Sequence, residues 1–334
     1  MARDMTRLVA SWPASRIVAA AVLIALALVP VIAAALSQPY YITLFTRVLV
    51  FAIAALGLNL ILGYAGAVSF GHAMYMGLGA YAVGIASFYG ITSGVAHVAL
   101  ALLSGIVIAS AVGLVCLRTS GMAFIMITLA FAQMVFFLAV SLKAFGGDDG
   151  MPLATRSDFG FVDLNQPQQL YYLAFAVLLA LLMAMQRLVH SRFGMVLRGC
   201  KSNERRMAAL GFPTLRYKLV AYVISAQVCV IAGVLLANLT RFVSPSYMAW
   251  TVSGELIVMI VLGGLGTLIG PVVGAAALLL LEEVLSSTKL GVPWLDALIN
   301  QHWLALIGLF IVAVVLVLKQ GLYGRLVHRE GERL

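Results

Sequence analysis

The chain has 334 residues, 63% of them hydrophobic and 10% charged, with a formal net charge of +9. Soluble domains use roughly 45–50% apolar and about 25% charged residues, so a water-soluble globular fold is excluded: no single core buries that much apolar side chain. The basic excess is gathered in short connections between apolar runs, which reads as membrane topology rather than as a nucleic-acid surface.

A helix of about 20 apolar residues crosses the hydrocarbon of a bilayer. The apolar runs here are continuous where barrel strands would alternate, so helices are predicted. The expected fold is an all-α polytopic membrane protein of about 8 to 10 transmembrane helices, one transmembrane domain over 1–334. Arg3, Arg7 and Arg16 place a short N-terminus (1–16) in the cytoplasm. The first run, 17–36, ends in Ala33, Ala34 and Ala35 like a cleavage site, yet it exceeds the usual h-region of roughly 7–15 residues and is read as an uncleaved span. Further full spans are predicted at 42–62, 68–88, 96–117, 122–142, 170–188, 219–239 and 303–318. Arg118 then falls inside. The loop with Asp148, Asp149, Asp158 and Asp163 falls outside, and the loop 189–217 falls inside with Arg192, Arg198, Lys201, Arg205, Arg206 and Arg216. A single crossing over 254–286 would put the basic tail 319–334 outside. A glycine-rich hairpin of two short or re-entrant helices returns it to the cytoplasm.

Glycines cluster at two places within apolar sequence. Gly63, Gly66 and Gly71 lie in the first third, and Gly263, Gly264, Gly266 and Gly270 in the last. Helix-breaking residues at membrane depth are tolerated where backbone is buried in protein or lines a cavity, so both clusters point to a transport path; close packing through small residues is the alternative. Polar residues inside the spans are costly and face a cavity or a partner. Asn59, Ser69, His72, Met76 and Glu255 are therefore candidates for the path, with Ser69, His72, Met76 and Gly79 predicted to share one helical stripe. Gln133, Gln227 and Asn238 read more simply as interhelical hydrogen-bonding groups.

Catalytic constellations are absent from the sequence. The run 263–270 lacks the Lys-Ser/Thr pair of a phosphate-binding loop, and Ser69 lacks the first glycine of a nucleophile elbow. Cys116, Cys200 and Cys229 show neither disulfide nor metal spacing. No cofactor or metal is expected in this chain. In the basic loop, a helix-forming stretch from Asn203 is closed by Gly211 with Pro213 beyond, a helix stop signal. Glu204, Met207, Ala208, Leu210 and Gly211 thus form a short amphipathic element suited to a groove in a soluble partner, or else to anionic lipid.

The string Gly63-Tyr64-Ala65-Gly66-Ala67-Val68-Ser69-Phe70-Gly71-His72-Ala73 within 56–81, the stretch 204–219, and the stretch 261–274 occur in this order. Together they resemble the permeases of branched-chain amino acid ABC transporters, over roughly residues 40–320. The resemblance implies a transport subunit rather than an enzyme, set in the bacterial inner membrane. Its partners would be a second homologous permease, two cytoplasmic ATPase subunits that hold ATP and magnesium, and an extracytoplasmic solute-binding protein. It also implies that the stretch 204–211 is the ATPase-coupling helix. Urea or short-amide permeases share the resemblance, and a non-transporting membrane scaffold is the reading from another class.

Overall fold

A computed structural model describes residues 14–35, 38–153, 155–160, 162–287, 305, 307–313 and 321–325. The helices in chain order are α1 (Ala14–Ala35), α2 (Pro39–Asn59), α3 (His72–Phe88), α4 (Gly94–Cys116) and α5 (Met122–Ser141). They continue with α6 (Pro167–His190), α7 (Arg192–Ala209), α8 (Thr214–Thr240), α9 (Trp250–Gly263) and α10 (Gly270–Ser287). A turn of π-helix, Leu60–Ala65, extends α2. Among the described residues, six helices are long and apolar enough to cross a membrane: Ser15–Ala35, Pro39–Ala65, Gly94–Cys116, Met122–Ser141, Pro167–His190 and Thr214–Thr240.

The span expected over 68–88 is corrected to a 17-residue helix beginning at His72. At 1.5 Å per residue that is about 26 Å, short of the roughly 30 Å hydrocarbon core. The reason is local. Gly66 takes a left-handed conformation (φ 74°), which ends the preceding helix, and the chain runs on without helical structure to Gly71. Ser69 therefore lies before α3 rather than on a stripe with His72 and Met76. The predicted 254–286 segment is two helices of 14 and 18 residues, packed on each other and joined by a turn in which Gly264 (φ 125°) and Gly266 (φ 74°) adopt conformations that side chains disfavour. The expected span 303–318 and the tail 319–334 lie largely outside the described residues, with 307–313 helical.

From Val48 to Ala65 the extended α2 is apolar apart from Asn59 and is buried throughout, as a helix stretch without a polar face must be. It packs against α8, α10 and α6, while α3 packs chiefly on α8. The long helices α1, α4, α5 and α6 stand around this centre with most of their surface outward. At one end the acidic loop is fastened to the end of α8 by a two-residue antiparallel ladder, β1 (Met151–Pro152) with β2 (Phe242–Val243), in register Met151↔Val243. The basic loop carrying α7 packs against α8 and the π turn.

Candidate functional site

The two glycine clusters meet. Asn59, buried at the end of α2, donates through Nδ2 to Thr267 O (2.8 Å), and its Oδ1 accepts from Gly266 N–H (3.1 Å). One side chain so holds the π turn against the turn between α9 and α10. The contact needs glycine on the α2 side, since a Cβ at Gly63 would lie 2.3 Å from Asn59 Oδ1 and 2.7 Å from Gly266 N. Asn59 is thus bonded at both ends of its amide, inside the protein.

The start of α3 is buried too, and its free N–H groups are met by hydroxyls from three different elements. Phe70 N–H points to Thr128 Oγ1 of α5 (3.3 Å), Gly71 N–H to Ser69 Oγ (3.2 Å), and Ala73 N–H to Ser253 Oγ of α9 (3.0 Å). His72, fully buried, lies between Ser69 Oγ on Nδ1 and Ser225 Oγ on Nε2, both at 2.9 Å. Ser225 donates its own proton to Gly57 O (2.6 Å). It must accept from His72 Nε2–H, and Nδ1 then accepts from Ser69. The ring also meets Tyr75 and Tyr222 edge-on, and those two hydroxyls bond to each other at 3.1 Å.

The remaining candidates separate. Met76 is buried where α3 meets α8: a Cβ at Gly233 would lie 1.8 Å from Met76 O, and one at Gly79 would lie 2.1 Å from Val230 O. The stripe of His72, Met76 and Gly79 is therefore turned onto α8. Glu255 is exposed on α9. Asn238 is buried, donating to Val234 O (2.9 Å) and accepting from Ser157 N–H (2.8 Å). The buried amide of Gln227 has no partner among the described residues.

At the acidic-loop end a cavity of about 540 Å³ is lined by Arg156, Arg241, Asp158 and Asp163 among others. Burial first, and then the nearby Arg241 charge, lower the pKa of Arg156, while Asp163 opposes the shift. Arg156 donates to Leu164 O and Arg241 to Asn165 Oδ1 (3.1 Å), so both arginines brace the loop.

At the other end, α7 kinks at Asn203 (φ −159°, ψ 99°), whose Oδ1 accepts from Arg206 N–H (3.0 Å) and starts a second short helix. Glu204 pairs with Lys218 at 2.5 Å. Met207 folds back onto Gly199, where a Cβ would come within 2.7 Å of its sulfur. Ala208, Gly211 and Leu210 are exposed, the last by 66%. Thr128, Ser225, Ser253 and Thr267 escaped the sequence reading. Their signal is faint: isolated hydroxyl residues on or beside predominantly apolar segments.

A family model described as the branched-chain amino acid transport system / permease component matches residues 40–317. The chain belongs to that permease family. The high-affinity branched-chain amino acid transport system permease protein LivM of Salmonella typhimurium is 24% identical over 304 residues, covering 83% of this chain and 68% of the relative. LivM of Escherichia coli is 22% identical over 327 residues (88% and 74%), and the permease protein LivH of the same organism 26% over 294 (82% and 91%). No solved structure matches. These relatives are permease components of transport systems and not enzymes, and this chain is likewise a multi-pass membrane permease component.

Proposed function

We propose that this chain is one permease subunit of an ATP-binding-cassette importer that moves branched-chain amino acids, or similar small polar solutes, inward across the inner membrane. The observation that carries the reading is the junction at Asn59, where two interrupted helical segments meet inside the apolar bundle. A scaffold that only anchors other subunits needs no such interruption, whereas transporters use broken helices beside the path. The path runs alongside the break 60–71, whose shape Asn59, Ser69, His72 and Met76 maintain, with Glu255 the ionisable group turned outward on the neighbouring α9. The short helices α9 and α10 form a re-entrant pair, and the N-terminus, the loop 189–217 and the tail are cytoplasmic. ATP and magnesium are held by two cytoplasmic ATPase subunits, which dock on the segment 204–211. A second homologous permease covers part of the outward apolar surface, and an extracytoplasmic binding protein delivers the solute.

The test is transport by the reconstituted complex in proteoliposomes, with leucine, valine, urea and a short amide as solutes. ATP-dependent uptake of leucine and valine is expected. Uptake of urea or the amide without leucine would reassign the substrate, and no uptake of any solute by a fully assembled complex would favour the scaffold.

A further inference from the structure

A continuing α-helix would aim Ala67 N–H at Gly63 O, four residues back. Here Ala67 N–H bonds instead to Ile61 O (3.1 Å), as does the N–H of Gly66, because the π turn closes on that carbonyl. Gly63 O is thereby released from the helix. It is taken by a residue 138 positions away: Lys201 Nζ, on α7 of the basic loop, donates to it at 2.7 Å. The stem of Lys201 lies over Gly66, where a Cβ would meet Lys201 Cγ at 2.9 Å, so the left-handed turn and the lysine occupy one fitted place. One helical turn back on the same strand of backbone, Asn59 holds the α9–α10 turn.

We infer that Lys201 is a positioning residue through which the basic loop governs the helix break: its ammonium ties α7 to the Gly63 carbonyl, so a displacement of α7 pulls on the π turn and, through Asn59, on the turn at Gly266 and Thr267. This deepens the proposed function and rests on its reading of the loop as the ATPase contact. The charge favours the site. Gly63 is buried while Lys201 is exposed, so the bond stands at the edge of the bundle; a carbonyl without a helical partner is a ready acceptor, and an ammonium has three donors on a flexible stem that can follow a moving helix. Release of the bond would allow residues 60–67 to regain ordinary α-helical pairing, with Ala67 N–H returning to Gly63 O. The tie thus separates two hydrogen-bonded arrangements of one segment. Glu204 and Lys218 form a second bond that ties the kinked end of α7 to the start of α8, so α7 is held at both the break and the long helix.

The experiment uses the whole importer in nanodiscs, with Lys201→Met, Lys201→Arg and the separate double change Met207→Ala with Leu210→Ala. Lys201→Met keeps the stem over Gly66 and removes the donors. ATPase subunits should still co-purify and basal hydrolysis should persist. Stimulation by solute-loaded binding protein should fall about tenfold, the scale of a charge-assisted hydrogen bond. Amide exchange over residues 60–71 should change in the Lys201→Met complex at the same time, and Lys201→Arg should restore most of the stimulation. Full stimulation with unchanged exchange in Lys201→Met overturns the proposal. Equal loss in the Met and Arg variants, without any change in exchange, also overturns it. The double change tests the underlying reading separately: if it leaves docking and stimulation intact the loop is not the ATPase contact, whereas a response to the double change but none to Lys201→Met rejects only the tie.

Discussion

Ser225 and His72 are joined in one sense only: because the Ser225 proton goes to Gly57 O at 2.6 Å, the imidazole donates to Ser225 across 2.9 Å and accepts from Ser69. The ring bridges α8, the non-helical approach to α3, and through Ser225 the backbone of α2. The order of donors follows from the Ser225 proton, which is committed to Gly57 O.

Ser225→Ala should leave His72 Nε2–H without a partner, at a cost of about 1–3 kcal/mol for that buried group, whereas Gly57 O keeps the backbone N–H of Leu60. Thermal unfolding in detergent reads this as a lowered midpoint. His72→Leu should reduce uptake while the complex still assembles. Normal uptake at normal expression would show that His72 serves packing alone.

The glycines of the C-terminal helix pair differ in what they face. Gly274→Ala places a Cβ 1.8 Å from Met259 O, which forces α9 and α10 apart and should cost about 1–3 kcal/mol or more. Gly254→Ala meets nothing nearer than Phe70 Cε1 at 4.0 Å, and the gain in helix propensity should stabilise the protein by up to about 1 kcal/mol. Melting midpoints of the two variants moving in opposite directions would verify the packing. A tolerated Gly274→Ala would contradict it.

Orientation is testable with introduced thiols. Cys200 is buried, and burial raises its pKa, so its failure to react would report packing rather than sidedness. Leu210→Cys, at an exposed position, is the better probe of the basic loop. In intact cells an impermeant reagent should label Asp158→Cys and spare Leu210→Cys, with both reacting after permeabilisation. The reverse pattern inverts the topology.

The two apolar residues of the proposed docking helix should behave unequally. Leu210 is exposed, and Leu210→Ala should weaken ATPase binding by about 1–2 kcal/mol, as truncating an interface anchor does. Met207 packs partly on Gly199, so Met207→Ala also loosens the kink at Asn203. The double variant should release the ATPases or leave them deaf to loaded binding protein, as co-purification and stimulated hydrolysis would show.

Continuous apolar runs made the long helices legible in the sequence, since a bilayer sets their length and nothing else satisfies the backbone there. The glycine clusters likewise marked the breaks at Gly66 and Gly264, because positive φ leaves few other residues available. The reach of Asn59 to Thr267 was not legible, as hydrogen bonds across 208 residues carry no local pattern. Nor was the start of α3 at His72: the apolar run from Val68 continues through it, and the hydroxyls of Thr128 and Ser253, distant in sequence, join Ser69 in meeting its buried N–H groups. Lys201 was visible merely as part of a basic loop, which reports sidedness and says nothing of a carbonyl waiting at Gly63.

Helix α8 runs unbroken for 27 residues, about 40 Å, and is engaged at three levels: Lys218 with the basic loop, Ser225 with His72, and Arg241 with the acidic loop. While α2 and α3 are separated by a break at glycines, α8 carries no such break, so its contacts with the two loops and with His72 are held at a fixed spacing on one rigid element.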